Sequence, residues 1–319
     1  MEPRAIPHPT RPGRLMIVFA SGVQRSFLWE APIDHGQGKL SFGASRRLSE
    51  DHSDRHTLSL SANGKRLAYV RRGLERFEIH ARELDTGVDR ILARLKTMPR
   101  ARISPDGSSV AINPQGVLES EKAVNLIFWS GGETRELCDS CGLIYDWSPD
   151  GKRILFRSGK PTRFSDISIE SRQQRVVALD QQHSLGAVVL SRDERWMAIH
   201  YEITEHIRPI YIAPVRDGVA GPREQWTALM DRAGVHVRPW WSPDGELLYF
   251  ISDAGGKTKI WAQRLTAADK QPVGEPFIVY APPEERFSLS AGAAFGPAVA
   301  PGRIIFQMIE TNTNIWLAE

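Results

Sequence analysis

The ten residues WSPDGKRILF, at positions 147–156, have the pattern of a tight turn between two β-strands. In the SPDG turn (148–151), proline presets φ, aspartate bonds to nearby amides, and glycine takes the left-handed conformation. The apolar run at 154–156 then suits a largely buried strand. The stretch therefore predicts one hairpin of a β-sheet.

Near copies of this hairpin recur along the chain, at intervals of 43 to 57 residues. The full copies begin SANGKRLAYV, SPDGSSVAIN, SRDERWMAIH and SPDGELLYFI, and shorter copies, PGRLMIVF and PGRIIFQM, lie near the two ends. Two further short strands follow most copies, which gives the four strands of a β-propeller blade. We predict an all-β chain forming a single propeller. The fourth residues of the turns are Gly13, Gly64, Gly107, Gly151, Glu194, Gly245 and Gly302.

Seven copies predict seven blades of about four antiparallel strands each, and six blades are the second choice because ring closure is unclear. Residues 1–12 are rich in proline and could supply a closing strand, and residues 13–319 form the propeller. The last copy ends after its third strand. Glu194 stands where the other turns have glycine. Since left-handed geometry costs a non-glycine residue about 1 kcal/mol, we expect that turn to be shifted or wider.

The composition narrows the classes of partner. The 41 Lys and Arg residues nearly balance the 38 Asp and Glu residues and are interspersed with them, so we expect no nucleic-acid binding. No apolar stretch is long enough to span a bilayer, so we expect no direct membrane insertion. Prolines stand where the helix of a signal peptide would lie, so we identify none. We expect the chain to act as a monomer.

Several stretches carry a family resemblance. The SPDG turn with its apolar strand resembles the repeat of TolB-type propellers. RELCDSCGLIYDWSPDGKRILF (135–156), IWAQRL with QPVGEPFIVY (260–280) and TNTNIWLAE (311–319) resemble the extracytoplasmic propeller domains of acidobacterial-type serine/threonine kinases and winged-helix regulators. The resemblance covers residues 13–319 and implies a bacterial, periplasmic sensor or interaction domain. It does not imply a ligand, because propellers host many functions.

Cys138 and Cys141 form a C-D-S-C motif ahead of the third full repeat. A closed zinc site needs four ligands, and no second cysteine or histidine pair lies nearby. A redox centre of the thioredoxin type needs a helix start, which this region lacks. We expect a local pair, which is a disulfide in an exported protein and two thiols otherwise. The extracytoplasmic location implied by the resemblance favours the disulfide.

If the repeats superpose, the loops leading into the innermost strands share one rim of the central channel. Candidate ligand-binding residues on this rim and on the strands beside it could hold a carboxylate or stack on a ring. Our first hypothesis is a non-catalytic module without a cofactor, which binds a protein or peptide, or an acidic oligosaccharide, at the channel. The candidates are Arg100, Tyr145, Arg232, Arg238, Trp240 and Arg286.

Histidines supply the alternative hypothesis. His52, His56, His183 and His236 lie in or near the loops that lead into innermost strands. TolB-related oligogalacturonate lyases are propellers with a metal near the axis, so the resemblance admits a polysaccharide lyase with a divalent metal at His56, His183 and His236. That function requires the three imidazoles to converge within about 5 Å. Exposed histidines scattered around a ring would not bind one ion.

Overall fold

The chain is seen in a computed structural model, in which β-strands dominate and the helical segments of the described residues are two 3₁₀ turns, Phe42–Ala44 and Arg223–Gln225. No helix in the described part of the chain is long and apolar enough to cross a membrane. The structure describes residues 4–7, 10–12, 15–51, 53, 55–113, 123–159, 162–204, 207–230, 234–254, 256–284, 286–289 and 296–318.

The described strands form six antiparallel sheets in a ring, so the chain is a six-bladed β-propeller. The all-β propeller prediction is confirmed. The prediction of seven blades is wrong, and the second choice, six, is correct. The N-terminal strands, which belong to the last blade, are β1 (Arg4–Pro7), β2 (Leu15–Asp34), β3 (Lys39–Leu40) and β4 (Arg46–Arg47).

Blades 1 to 3 each contain four strands that run in chain order from the channel outward. Blade 1 consists of β5 (Arg55–Leu60), β6 (Arg66–Arg72), β7 (Phe77–Glu83) and β8 (Asp89–Leu95). Blade 2 consists of β9 (Arg100–Ile103), β10 (Ser109–Asn113), β11 (Val124–Phe128) and β12 (Arg135–Cys138). Blade 3 consists of β13 (Leu143–Trp147), β14 (Arg153–Ser158), β15 (Arg163–Ser168) and β16 (Gln174–Ala178).

Blades 4 to 6 carry additional short strands. Blade 4 consists of β17 (Ser184–Leu190), β18 (Trp196–Glu202), β20 (Ile210–Arg216) and β22 (Thr227–Met230), with β21 (Val219–Ala220) beside β20. Blade 5 consists of β23 (Gly234–Trp241), β24 (Leu247–Ser252), β25 (Lys259–Leu265) and β26 (Pro272–Tyr280), with β19 (Ile207–Arg208) parallel to β23. Blade 6 adds β27 (Phe287–Leu289), β28 (Ala298–Ala300) and β29 (Arg303–Ala318) to the N-terminal strands.

Blade 6 closes the ring and explains the wrong blade count. Its two inner strands, β28 and β29, come from the C-terminal part of the chain, and its outer strands, β2 and β4, come from the N-terminal part. β29 pairs with β2 from Arg303 opposite Pro32 to Ala318 opposite Ile17. The copies near the two ends are therefore parts of one blade. β1 pairs with residues 15–18 of β2, and Gly13 lies outside the described residues.

The core is divided among the spaces between neighbouring blades. Each of six apolar clusters of described residues joins two adjacent blades, so every sheet buries both faces. Within the run ILF, Ile154 and Phe156 pack against blade 2, whereas Leu155 packs against blade 4. Burying each such side chain contributes about 1.5 to 3 kcal/mol. The ring is consequently rigid where its blades meet.

The repeated turns share one hydrogen-bond pattern. The hydroxyl of fully buried Ser148 donates to Asp150 Oδ1 at 2.5 Å and accepts from the amide of Arg153 at 2.9 Å. The expectation of a wider turn at Glu194 is wrong. Its φ is +55°, close to the +71° of Gly151, and its amide donates to the carbonyl of Ser191 at 2.9 Å. The same bond pattern recurs around Ser61, Ser104, Ser191 and Ser242.

Candidate functional site

The innermost strands of all six blades enclose a cavity of about 330 Å³ on the ring axis. Most of its wall is apolar, from side chains such as Leu60, Ile103, Val189 and Val299. A few polar and aromatic groups project among them. The cavity is the central channel of the propeller, and the residues that follow are those of its wall whose chemistry can recognise a ligand: Arg102, Tyr145, Asp146, Trp147, Arg192, Arg238, Trp240 and Trp241.

Irregularities in the innermost strands decide which side chains reach the channel. The pairing register shifts in β5, β13, β17 and β23, each against the second strand of its blade. In β13 the shift lies between Ile144 and Asp146, and both Tyr145 and Asp146 line the cavity. In β23, Arg238 has a φ of +61°, although it precedes a proline. Such bulges re-aim side chains and often mark functional sites.

Arg102 and Asp146 form the buried polar centre of the channel wall. Arg102 Nε donates to the carbonyl of Tyr145 at 2.8 Å, and Nη1 donates to the carbonyl of Leu58 at 3.0 Å. Burial lowers the pKa of Arg102 to about 10. Burial raises the pKa of Asp146, against the opposing charge of Arg102. The guanidinium of Arg102 is thus occupied in joining blades 1, 2 and 3.

Arg238 differs from Arg102 because its Nη1 is buried and makes no hydrogen bond. Burial lowers the pKa of Arg238. Burial also raises the pKa of Tyr145, against the charges of Arg238 and Arg102. The indole Nε1 of Trp240, on the same strand as Arg238, also makes no hydrogen bond. No described protein group accepts a hydrogen bond from either of these two donors. Because leaving a buried donor unpaired costs free energy, a ligand that accepts from them would gain affinity.

Trp240 and Trp241 point to opposite faces of blade 5, as strand alternation predicts. Trp240 packs towards blade 6 and stacks on Tyr249 with ring centroids 6.0 Å apart. Trp241 packs towards blade 4, and its Nε1 donates to the carbonyl of Val189 at 3.1 Å. Both residues line the channel, so they serve the interblade core and the cavity wall together.

One residue from each of the six repeated turns contributes to a ring at one end of the channel. Four of them are proline and one is alanine. Arg192 in blade 4 provides the single charged group of this ring. The turn end of the channel is therefore mainly apolar, with one cation. The ring is Ala62, Pro105, Pro149, Arg192, Pro243 and Pro301.

The structure brings together three of the six predicted ligand-binding residues, Tyr145, Arg238 and Trp240, in the channel wall. Arg100 is not among the cavity-lining residues, and it donates to the carbonyl of Ile144 at 3.4 Å. Arg286 pairs with carboxylates of the same blade region, Glu284 at 2.7 Å and Glu310 at 3.4 Å. Arg232 lies outside the described residues.

Sequence reasoning missed three charged residues of the channel wall, Arg102, Asp146 and Arg192. Arg102 could have been found, because it lies two residues after Arg100 and shares its face of β9. Arg192 occupies the turn position at which the other copies have proline or alanine, which is also a readable signal. Asp146 lies beyond the register shift of β13, which the sequence pattern does not reveal.

The histidines of the metal hypothesis are spread around the ring. His56 lies in β5 of blade 1, whereas His183 precedes β17 of blade 4, on the opposite side. His183 Nδ1 lies 3.4 Å from the hydroxyl of Tyr201 and 3.7 Å from Asp180 Oδ1. His52 and the side chain of His236 are outside the described part. Among the side chains described, no group of three His, Cys, Asp or Glu residues could hold a metal ion.

Cys138 and Cys141 are joined in a disulfide, with Cα atoms 6.0 Å apart. Cys138 ends β12, the outermost strand of blade 2, and Cys141 lies just before β13 of blade 3. Cys141 is buried in the apolar cluster between these blades. The bond therefore holds the connection from one blade to the next.

No family model matches the chain, and no curated protein matches it. A protein assigned as TolB from Agrobacterium tumefaciens is 18% identical with a TM-score of 0.65, and the match covers 91% of this chain and 99% of that one. TolB from Acinetobacter baumannii is 14% identical with a TM-score of 0.60, over 79% of this chain and 65% of that one. These likenesses show that the chain has the fold of a TolB-type propeller.

A third similar structure is an oligogalacturonate lyase in complex with manganese. It is 15% identical with a TM-score of 0.52, and the match covers 80% of this chain and 72% of that one. At this identity the likeness concerns the fold alone, since the same propeller supports unrelated activities.

Proposed function

We propose that this propeller is a non-catalytic interaction module that binds a short extended segment of a partner protein in its axial channel. The observation that supports this most directly is the channel itself, to which every blade contributes part of the wall. The packed interfaces between blades hold that wall rigid. A rigid site loses little conformational entropy when a ligand binds, which favours affinity.

The dimensions of the channel favour a peptide over a folded domain. Its volume of about 330 Å³ lies at the lower end of the range for ligand pockets, roughly 300 to 1,000 Å³. This space accommodates a few residues of an extended chain. Prolines, aliphatic side chains and Trp240 dominate the wall, which suits apolar side chains better than the many hydroxyl groups of a sugar.

We place this module outside the cytoplasm, as the sensor or interaction part of a bacterial protein that acts as a monomer. Two observations support the location. The TolB-type fold agrees with the resemblance of its repeats to extracytoplasmic propellers, and the Cys138–Cys141 disulfide suits an oxidising compartment. The partner would be a protein that exposes a disordered segment at the same side of the membrane.

The test is a selection of binding peptides from a random twelve-residue library, followed by affinity measurement against two matched variants. Ala62→Trp places a large ring at the exposed turn end of the channel. Ala267→Trp places the same ring in an exposed turn between β25 and β26, away from the cavity wall. We expect A62W to abolish binding and A267W to retain it. Failure to select any peptide, or undiminished binding by A62W, would contradict the proposal.

A further inference from the structure

Positively charged side chains outnumber negatively charged ones in the channel wall. Among the described residues that line the cavity, three are arginines, Arg102, Arg192 and Arg238, and one is an acid, Asp146. A narrow cavity with apolar walls concentrates the field of such charges. The interior of the channel therefore favours a negatively charged ligand group.

The two deeper arginines are not equivalent. Arg102 is satisfied by the carbonyls of Leu58 and Tyr145, and the charge of Asp146 acts on it. Arg238 has no ion pair with any described carboxylate, and its Nη1 makes no hydrogen bond. Below the turn end, where Arg192 lies, the surplus positive charge of the channel wall is thus located at Arg238.

The backbone at Arg238 is strained, and a glycine lies against its side chain. Its φ of +61° places a non-glycine residue in the left-handed region, which is unfavourable for a residue that has a Cβ. Gly296 faces it, and a Cβ added there would lie 3.3 Å from Arg238 Cδ. The side chain is therefore held in the channel by a strained backbone and given space by a glycine.

Building on the proposed function, we propose that Arg238 recognises an acidic residue, Asp or Glu, in the peptide segment that occupies the channel. A guanidinium matches a carboxylate geometrically, through two parallel hydrogen bonds. Because Nη1 is buried, the side chain has to rotate for this atom to reach the ligand. The adjacent apolar wall then accommodates the neighbouring residues of the segment. Arg192, at the turn end, adds attraction for the same charge.

The experiment compares the peptides that the random twelve-residue library yields against the wild type and against R238Q. We expect wild-type binders to share an acidic residue at one fixed position and R238Q binders to lack it. For the best acidic peptide, replacing its acid by the corresponding amide should weaken binding at least tenfold in the wild type and hardly at all in R238Q. R76Q, which removes an exposed positive charge away from the cavity, should leave the affinity unchanged.

The outcomes separate this inference from the proposed function. Peptides that bind A267W but not A62W, without an acidic preference, would overturn the carboxylate site and leave channel binding intact. An absence of peptide binders, with an acidic oligosaccharide such as trigalacturonate binding through Arg238, would overturn the peptide as the occupant. Should R238Q fail to fold, two other measurements test whether Arg238 recognises the acidic residue. One is the acid-to-amide change in the peptide, and the other is the R238K variant, which we expect to retain part of the affinity.

Discussion

The carboxylate of Glu194, in the turn of blade 4, accepts a hydrogen bond from the guanidinium of Arg153, at the start of the second strand of blade 3. The other carboxylate oxygen lies 3.4 Å from the amide of Asp150, which donates to it. Both members of the pair are about three quarters shielded, with side-chain exposures of 24% and 23%. The one repeat turn without glycine at this position therefore has an interblade contact in its place.

Glu194 gains a contact with blade 3 but holds a strained, left-handed backbone. Two substitutions of Glu194 separate these two effects on stability. Glu194→Ala loses the contact and keeps the left-handed strain, whereas Glu194→Gly loses the contact and relieves the strain. We expect E194A to be less stable than E194G by about 1 kcal/mol, and E194G to lie within about 1 kcal/mol of the wild type. Denaturant unfolding measures both differences. Equal stabilities for E194A and E194G would show that the turn is not strained.

The turn aspartates predict a loss of stability in acid. Desolvation raises the pKa of Asp150, but hydrogen bonds from Ser148 and from the amide of Lys152 outweigh it and hold the pKa below its usual value. A depressed folded pKa stabilises the protein above the unfolded pKa of about 3.9, and this contribution disappears as the pH falls through the folded value. Asp150→Asn should therefore be less stable than the wild type at pH 7, with a smaller difference at pH 3. A difference that is constant between these pH values, in denaturant titrations, would contradict this.

Asp146 in the channel predicts the opposite dependence of stability on pH. Burial raises its pKa more than the charge of Arg102 lowers it, so its ionised form is unfavourable in the folded state. A raised folded pKa contributes stability at low pH that is lost as the pH rises. We expect Asp146→Asn to be more stable than the wild type at neutral pH, and this gain to vanish in acid. Thermal melting at pH 7 and pH 4 provides the measurement, and a destabilised D146N at pH 7 would refute it.

The blade unit was predictable from the sequence because its signal is local. Turn chemistry fixes the hairpin within about ten residues, and alternation assigns consecutive residues such as Trp240 and Trp241 to opposite faces. The number of blades was not predictable in this way. Closure depends on the pairing of β2 with β29, which joins Pro32 to Arg303 across nearly the whole chain. No local sequence pattern indicates that strands from the two ends of the chain combine into one blade.

The channel was predictable in part for a related reason. Tyr145, Arg238 and Trp240 lie on innermost strands, so the repeat alignment placed them at the axis. The register shift in β13 adds Asp146 to the wall, and such shifts leave no clear trace in the residue pattern. Arg100 was assigned to the rim because of its position in the repeat, but its guanidinium bonds to a neighbouring carbonyl.

The disulfide predicts a modest dependence of stability on redox state. Cys138 and Cys141 are three residues apart, and closing so short a loop stabilises a protein by about 2 kcal/mol through the entropy of the unfolded chain. Thiol titration of unreduced, denatured protein should find no free thiol. Reduction should lower the free energy of unfolding by about that amount, and the double variant C138S/C141S should match the reduced wild type. Two titratable thiols in material isolated from an oxidising compartment would refute the bond.

The final prediction concerns the hydrogen bonds that cross between innermost strands. Trp147 Nε1 donates to the carbonyl of Arg102 at 2.9 Å, from blade 3 to blade 2. Trp29 provides a matched control, because its Nε1 makes no hydrogen bond and its ring packs on Phe42. Each Trp→Phe substitution removes similar apolar area, so the difference between them isolates the hydrogen bond. We expect W147F to lose about 1 to 2 kcal/mol more stability than W29F, because the indole N–H is a buried donor to the neighbouring blade. If denaturant unfolding gave the two variants equal stability, the hydrogen bond of Trp147 would contribute nothing to the contact between blades 2 and 3.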